Sequence, residues 1–464
     1  MTEPTIDERR AATTRPKATL ALTAAATFLV LMDYSAPLTA VPDLAAALGA
    51  TTAEQTWLIN SMPLGLAALL LVSGGLADDY GRKRLFIVGS GALTVALAVA
   101  AAVPTAEPFI LARVVQGAAG AAILATSLAL IADAYDGSAR VHALGVWGAS
   151  VGVGIAVGPV VSGTFGSTHW SAPYWLFAVA SAALTVCAIP TLTESRNPDR
   201  GRPDLIGALT FGAGLALLLG ALTQGRSGWA DPVALALFGG SMLLLVAFAV
   251  TQTRVRRPLV DPALFGHGPF LASAIGALVT GVAIIGMMSY LPTVLQLGAG
   301  YAAAATAWLF VFWSGTSALV AYHSRRLRMT PGGQLSAGFV VAAIGPLTWL
   351  GGLGSDDWLR LAPGLVVAGA GSGLVNAALP RLAIDSVPAE RTAMGSGANN
   401  TARYVGSAIG VAIVIAIVQS VAQQDAYDLV HGMDMAIIVT SAVALLGAAV
   451  IPLLTRQRTR PRSD

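Results

Sequence analysis

Charged side chains are scarce in this sequence: Asp, Glu, Lys and Arg together make up 11% of its 464 residues, while hydrophobic residues make up 55%. A soluble globular domain carries roughly 25% charged residues. With so few polar groups, the chain could not cover its exterior in water, and its mean hydropathy of +0.71 fits a bilayer instead. The composition therefore predicts a membrane protein.

The residue patterns of disulfides, metal sites, nucleotide-binding loops and enzyme active sites are also missing. Cys187 is the single cysteine, so an internal disulfide is excluded, and the five histidines are scattered along the chain instead of forming a metal-ligand cluster. No Walker loop and no convergent set of nucleophile, base and metal ligands is present. We therefore expect no enzymatic activity, no metal and no cofactor, and any transport must be driven by an ion gradient, the membrane potential or the substrate's own gradient.

The net charge of +3 and a pI near 9.2 do not indicate nucleic-acid binding. The basic residues form short clusters between apolar runs, a spacing that is typical of membrane orientation. The expected partner at this point is the lipid bilayer, with no nucleic acid, and we expect the protein to function as a monomer.

Long apolar runs are the dominant feature of the sequence. A membrane-spanning helix needs about 20 apolar residues. Fourteen such runs lie near residues 18–41, 55–77, 85–103, 107–132, 140–163, 173–191, 203–223, 231–253, 269–291, 303–323, 333–352, 357–381, 401–420 and 433–455. An even number of spans places both termini on the same side, so the runs predict an all-α polytopic membrane protein.

The basic residues indicate which side that is. With the N-terminus inside, all but three of the 27 basic residues fall in cytoplasmic segments; the exceptions are Arg113, Arg226 and Arg360. This asymmetry predicts a multi-pass protein of the inner (plasma) membrane with both termini in the cytoplasm. The first apolar run follows basic residues, as in a signal peptide, but it continues far enough that we expect an uncleaved first helix.

Two ionisable residues fall inside predicted spans, where charge is costly and marks a pathway or a partner. Asp33 lies in predicted helix 1 and Arg113 in predicted helix 4. Asp33 is interpreted either as a proton- or cation-binding carboxylate or as a structural hydrogen-bond partner. Arg113 is either a fixed cation that tunes a nearby carboxylate or a packing charge. Glu107, Asp133 and Asp385 lie at predicted helix ends and are interpreted as solvated.

The segment after predicted helix 2, Gly74-Gly-Leu-Ala-Asp-Asp-Tyr-Gly-Arg-Lys-Arg84, resembles the signature loop of the major facilitator superfamily. Its glycines allow a tight turn, and its first aspartate is placed to accept hydrogen bonds from a helix N-terminus of the other bundle. In the family this loop latches the two bundles in the outward-open state. The resemblance implies a latch formed by Gly74, Asp78, Gly81, Arg82 and Lys83. One departure is Asp79, where the family usually has a basic residue.

Three further segments resemble signatures of the drug:proton antiporters in that family. Residues 33–42 resemble the run that ends helix 1, and residues 113–117 resemble the helix-4 signature. Together these imply that Asp33 and Arg113 take part in proton coupling. Residues 154–163 resemble the helix-5 antiporter motif, which is formed here by Gly154, Gly158, Pro159 and Gly163, with Ser162 in place of a glycine. Small residues at this spacing let two helices approach closely.

The number of helices is similar to that of the fourteen-helix branch, which includes multidrug and antiseptic resistance exporters. This resemblance implies two six-helix bundles with two inserted helices. The predicted division is a cytoplasmic tail at 1–17, an N-terminal bundle at 18–191, a linker with two extra helices at 192–260, a C-terminal bundle at 261–455 and a cytoplasmic tail at 456–464.

The implied function is proton-coupled export of amphipathic or cationic small molecules, such as drugs, antibiotics and antiseptics, by alternating access. Two alternatives stay open: a dedicated exporter of one metabolite or antibiotic, and a non-transporting membrane sensor with the same fold. Aromatic residues are candidates for the wall of a midplane substrate cavity, although a lipid-facing position is an equally ordinary place for them: Trp147, Tyr290, Trp308 and Trp313.

Overall fold

A computed structural model describes residues 15–165, 169–196, 204–225, 230–255, 258–354, 358–421 and 426–455. The predicted tail at 456–464, and all of the N-terminal tail except residues 15–17, lie outside these ranges. Regular structure in the described residues is helical throughout. Helices suit a bilayer because they satisfy their own backbone hydrogen bonds without water.

The first six long helices form one bundle. They are α1 (Pro16–Ser35), α2 (Thr52–Tyr80), α3 (Arg82–Ala102), α4 (Ala106–Ala134), α5 (Gly137–Phe165) and α6 (Ala172–Thr191). A 3₁₀ turn at Ala36–Thr39 and a short helix at Val41–Leu48 join α1 to α2. The buried apolar residues of this bundle form one continuous cluster, from Ala26 in α1 to Leu192 just after α6.

Two helices then pack on the outside of the first bundle. They are α7 (Leu205–Gln224) and α8 (Pro232–Gln252), which pair with each other, and α7 lies against α2. Only 11% of the most apolar part of α8 is buried. Since α8 is also among the most apolar helices, its exposed surface is suited to lipid.

The last six helices form the second bundle. They are α9 (Gly268–Leu297), α10 (Ala303–His323), α11 (Pro331–Leu347), α12 (Trp358–Asp385), α13 (Thr392–Val421) and α14 (Ala426–Thr455). Thirteen of these fourteen labelled helices are long and apolar enough to cross a membrane, and the remaining one, α11, has 17 residues. The predicted all-α architecture of two six-helix bundles plus two inserted helices is confirmed.

The two bundles meet along two seams. In one, α2 packs against α13; in the other, α5 packs against α10 and α12. Successive helices run in opposite directions, so the connections between them lie alternately at the two opposite ends of the interface. We call the end where α2 passes into α3 and α12 passes into α13 the charged end, and the opposite end, where α1 passes into α2, the cavity end.

The structure corrects the placement of one basic residue. The charge count places Arg403 in a cytoplasmic segment, at the very start of the predicted span 401–420. Helix α13 begins at Thr392, so Arg403 lies about three turns inside the helix, and its side chain is 6% exposed. The polar residues of the first turns of α13 lower the local hydropathy, which hid the start of the helix from the sequence pattern.

Candidate functional site

Asp33 of α1 and Arg113 of α4 form a buried ion pair. Arg113 Nη1 donates to Asp33 Oδ1 over 2.6 Å, and Nη2 donates to the main-chain oxygen of Asp33 over 3.1 Å. Both side chains are fully buried. The two residues therefore form one unit that ties α1 to α4 within the first bundle.

Gln116 completes this unit. Its side-chain oxygen accepts from Arg113 Nη1 at 2.8 Å, and its amide nitrogen donates to the carbonyl of Ala96 in α3 at 3.1 Å. Within the described part of the chain, Asp33 Oδ2 and Arg113 Nε have no hydrogen-bond partner. A buried ion pair compensates its desolvation only when the remaining polar atoms are also satisfied. This pair is only partly satisfied, so part of its desolvation cost is left uncompensated.

Tyr34, the next residue after Asp33, faces the space between the bundles, whereas Asp33 faces α4. Tyr34 lines a cavity of about 340 Å³ between the bundles, and its ring meets that of Tyr404 edge to face, with 5.9 Å between centroids. The wall of this cavity comes from α1, α2, α7, α9 and α13. Asp33 thus lies directly behind the cavity wall, inside the first bundle, and does not line the cavity itself.

The polar residues that line this cavity are hydroxyls and amides. None of the lining residues found in the described ranges carries a charge, and the polar ones are Tyr34, Gln55, Asn60, Thr223, Ser289, Tyr290, Thr293, Tyr404 and Ser407. A second cavity of about 70 Å³ shares Tyr34 and Ser289 with the first and continues to Trp313 of α10. Such a wall can hydrogen-bond to many small molecules but gives a cation no counter-charge.

The four aromatic candidates lie in different places. Tyr290 lines the larger cavity, and Trp313 lines the smaller one with its Nε1 donating to Ser372 Oγ over 3.0 Å. Trp147 is buried in the core of the first bundle. Trp308 is 65% exposed and lies on the outer surface, away from both cavities.

At the charged end, Asp78 bridges the two bundles. Its Oδ1 accepts from the backbone N–H of Ala393 at 3.1 Å, and its Oδ2 accepts from that of Met394 at 2.8 Å. Both N–H groups belong to the first turn of α13, where the helix dipole favours an anion. A Cβ at Gly74 would collide with the backbone of Ala393, so a glycine here allows α2 and α13 to touch.

Arg82 holds this carboxylate in place. Its guanidinium donates to Asp78 Oδ1 at 2.9 Å, to Asp133 Oδ1 at 2.5 Å and to the carbonyl of Ala389 at 2.9 Å. Asp133 also accepts a short hydrogen bond from Ser195 Oγ. Asp133 is exposed, as its interpretation as a solvated helix end expects, and it also pairs with Arg82 because α4 ends against the start of α3.

Gly81 makes the turn between α2 and α3 with φ +124°, a conformation that favours glycine. Glu194, which follows α6, packs against Gly81 and accepts from the backbone N–H groups of Lys83 and Arg84 at 3.1 and 3.2 Å. Lys83 therefore contributes its backbone to the turn. No motif drew attention to Glu194, because it is far from the turn in sequence.

Two further ion pairs cross between the bundles at the charged end. Arg391, just before α13, lies 3.9 Å from Asp79 of α2, and Arg140 of α5 lies 3.8 Å from Asp385 of α12. Asp79 stands where the resembling family usually has a basic residue, and the structure places an arginine opposite it. Asp385, interpreted as solvated, is half exposed and faces Arg140.

The glycines of α5 serve two contacts. A Cβ at Gly154 would meet the carbonyl of Phe28 in α1, and one at Gly158 would meet Ser35 and the carbonyl of Met32. Pro159 lines the smaller cavity. Gly163, in contrast, is exposed and has open space around its Cα. The motif therefore packs α5 on α1, the helix that carries Asp33 and Tyr34, and its last glycine lies beyond this contact.

Comparisons with known proteins agree with this architecture. The sequence profile of the Major Facilitator Superfamily matches residues 23–411. A probable actinorhodin transporter of Streptomyces coelicolor is 30% identical over 410 residues, which cover 84% of this chain and 70% of the relative. A puromycin resistance protein of Streptomyces alboniger is 29% identical over 464 residues, covering 95% and 91%. The multidrug efflux pump LfrA of Mycolicibacterium smegmatis is 28% identical over 402 residues, covering 85% and 79%.

Solved structures share the fold. The human organic anion transporter MFSD10 superposes with a TM-score of 0.68 at 16% identity, covering 94% of this chain and 99% of that one. The proton:xylose symporter XylE superposes with a TM-score of 0.66 at 11% identity, covering 92% and 94%. With the family profile spanning most of the chain, this multi-pass membrane protein belongs to the major facilitator superfamily.

Proposed function

We propose that this protein is a secondary active exporter of amphipathic small molecules, antibiotics among them, which it exchanges for protons. The observation that carries the proposal is the fully buried Asp33–Arg113 pair directly behind the wall of the cavity between the bundles. The names of the relatives support export, since they include a multidrug efflux pump and proteins named for actinorhodin and puromycin.

The proposed coupling runs through α1. A proton on Asp33 Oδ1 removes the negative charge that Arg113 pairs with and weakens the tie between α1 and α4. Because Tyr34 of α1 and Leu38 of the 3₁₀ turn that directly follows α1 both line the cavity, a shift of α1 changes the cavity shape. Proton release then restores the pair, so the two ligands act on one movable helix.

The orientation in the membrane is part of the proposal. We propose that the charged end faces the cytoplasm, that both termini are cytoplasmic and that the host membrane is the inner (plasma) membrane. The asymmetry of basic residues supports this orientation. Reporter fusions at residue 464 should be active only with a cytoplasmic reporter, and a periplasmic signal from that end would overturn the orientation.

The transport proposal is tested in proteoliposomes with an imposed pH gradient, using chloramphenicol as an uncharged probe and ethidium as a cationic one. The wild-type protein should move at least one of them uphill. Asp33→Asn should reduce uphill transport at least tenfold while binding is retained, and Asp33→Glu should keep part of it. Glu107→Gln, on the exposed first turn of α4, is the matched control and should transport normally.

The outcomes are distinct. Uphill transport of both probes by Asp33→Asn at the wild-type rate would remove Asp33 from the mechanism. Loss for ethidium alone would make Asp33 a cation-recognition charge. If wild-type protein moved no compound from a broad panel, the non-transporting sensor would be the better description.

A dedicated exporter of one antibiotic is the second candidate. It is supported by the relatives that are named for single compounds, actinorhodin and puromycin. Efflux of a substrate panel from cells lacking other pumps separates the two: a dedicated exporter should protect against one structural class, and a multidrug exporter against several.

A further inference from the structure

A second buried arginine lies next to the cavity. Arg403 is in α13, four residues before Ser407 and eight before Val411, both of which line the larger cavity. Residues at this spacing share one face of an α-helix. Since α13 runs from the charged end to the cavity end, Arg403 lies one turn below Ser407, at the deep end of the cavity wall.

The surroundings of Arg403 differ from those of Arg113. Its guanidinium carbon is 5.5 Å from the centre of the Tyr404 ring, and Tyr404 in turn meets Tyr34 edge to face, so Arg403 lies beside the pair of tyrosines that lines the cavity. Arg113 has a carboxylate partner, whereas no described acidic side chain forms an ion pair with Arg403. Its Nε has no hydrogen-bond partner in the described ranges, and the side chain is 94% buried.

This arrangement has a consequence for the charge of a ligand. A buried guanidinium without a carboxylate is costly, and an ionisable group within a membrane is a candidate functional site. Because this group is a cation, the partner that would compensate its charge is an anion. The lining of both cavities is uncharged, and the charge of Asp33 is neutralised by Arg113. The charge that a ligand meets at the deep end of the cavity is therefore positive.

We propose that the cavity binds amphipathic molecules that are uncharged or carry an acidic group, such as a carboxylate or phenolate, and that the acidic group lies toward Arg403 beside Tyr34 and Tyr404. The apolar part of the ligand occupies the rest of the cavity, whose volume of about 340 Å³ suits a molecule of three or four fused rings. Cationic amphiphiles are poor ligands. This inference rests on the proposed export function and narrows its substrate class.

Two dyes with the same xanthene skeleton test the proposal: fluorescein, which is anionic at neutral pH, and rhodamine 123, which is cationic. Binding to the purified protein in lipid nanodiscs is measured by fluorescence anisotropy. The wild-type protein should bind fluorescein at least tenfold more tightly than rhodamine 123. Arg403→Gln should weaken fluorescein binding about tenfold and leave rhodamine 123 binding unchanged or tighter, and Arg403→Lys should lie between.

The matched control is Arg360→Gln. Arg360 is an exposed arginine at the start of α12, on the cavity end but outside both cavities, so its removal should leave the preference unchanged. If Arg403→Gln does not yield a folded protein, Ser407→Glu serves instead. It adds a carboxylate to the cavity wall and should reverse the preference toward rhodamine 123.

Three results would overturn the inference: tighter binding of rhodamine 123 than of fluorescein by the wild-type protein, binding of neither dye, or an unchanged ratio of the two affinities in Arg403→Gln. These results are independent of proton coupling. A protein that exports rhodamine 123 uphill and binds it more tightly than fluorescein would refute the anion preference while supporting the export function. A protein that binds fluorescein more tightly but transports nothing would support the anion preference and refute the export function.

Discussion

The two ends of the interface between the bundles are built from different chemistry. At the charged end, α2 and α13 touch backbone to backbone at Gly74, and Asp78 accepts from two backbone N–H groups across the interface. At the cavity end, the same two helices diverge around a space lined by uncharged hydroxyls and amides. The seam between α2 and α13 is therefore closed at the charged end by hydrogen bonds to a carboxylate, and it is open at the cavity end.

We propose that this difference separates the conformational role of one end from the binding role of the other. Hydrogen bonds to a charged group contribute about 1.5–3 kcal/mol each and depend on exact geometry, so the bonds of Asp78 stabilise one relative position of the bundles. Hydrogen bonds from neutral hydroxyls in a cavity are weaker and depend less on exact geometry, so the same hydroxyls can bind different ligands. A protein that alternates between two states needs a strong but breakable contact at one end and an adaptable surface at the other.

The largest expected effect comes from removing the charge of the latch. Asp78→Asn replaces a carboxylate oxygen with an amide nitrogen that cannot accept from the N-terminus of α13, and it breaks the ion pair with Arg82. We expect at least a tenfold loss of transport with normal membrane insertion. Vesicle uptake at equal protein levels measures the first, and membrane fractionation the second.

Asp136→Asn is the control for this prediction. Asp136 also lies at the charged end and near an arginine, Arg140, but its side chain is 99% exposed. Because an exposed pair contributes little, transport should be unchanged. Unimpaired transport by Asp78→Asn would show that the contact with α13 does not stabilise a state the cycle needs.

The next largest effect on transport is expected at the cavity end, where α5 packs tightly on α1 within the first bundle. Gly158→Leu would push a side chain into Ser35 and the backbone of Met32, and overpacking of this kind typically costs about 1–3 kcal/mol. We expect roughly tenfold lower transport and a lower unfolding temperature in detergent. Gly163→Leu should behave as wild type, because open space surrounds Gly163. Equal behaviour of the two variants would contradict the contact between α5 and α1.

A smaller effect is expected from the ion pair between Asp79 and Arg391. Both side chains are partly exposed and lie 3.9 Å apart, so the pair contributes about 1 kcal/mol or less. Asp79→Arg should lower transport about threefold by repelling Arg391. The exchanged double variant, Asp79→Arg with Arg391→Asp, should recover most of the loss, and failure to recover would show that the two charges act separately.

The smallest effect is expected in the cavity wall. Ser289→Ala removes one hydroxyl shared by both cavities and should change the affinity for chloramphenicol by about twofold to fivefold, the worth of one neutral hydrogen bond. Tryptophan fluorescence titration measures this affinity. A loss as large as that of Asp78→Asn would show that the cavity wall is as specific as the charged end.

The sequence indicated the central residues of the site better than the residues that pair with them. Asp33 and Arg113 stand out because a charge in an apolar run is costly wherever the helix packs, and Gly74 and Asp78 stand out by their spacing. Glu194, Asp133 and Arg391 carry no such signal. Each lies at a helix end, where a charged residue is normally solvated, and only the packing of distant helices makes it a partner.

The sequence likewise did not indicate which of the aromatic candidates face a cavity. Trp308 and Trp313 are five residues apart on one helix, so they point in different directions, one toward the lipid side and one toward a cavity. Both look alike in sequence, because a helix in lipid has no polar face to indicate its orientation. Arg403 was missed for a related reason: the polar residues at the start of α13 resemble a loop unless the neighbouring helices that bury them are known.

What the sequence determined by itself is the class of structure: fourteen apolar runs with little charge inside them require helices in a bilayer, since each helix satisfies its own backbone locally. What only the tertiary structure decided is which buried charges are paired. Arg113 meets Asp33 over 80 positions of sequence, Asp78 meets Met394 over 316, and Arg403 meets no described carboxylate. Pairing depends on side-chain distances of a few ångströms, which are set by how the helices pack and not by the apolar pattern that forms them.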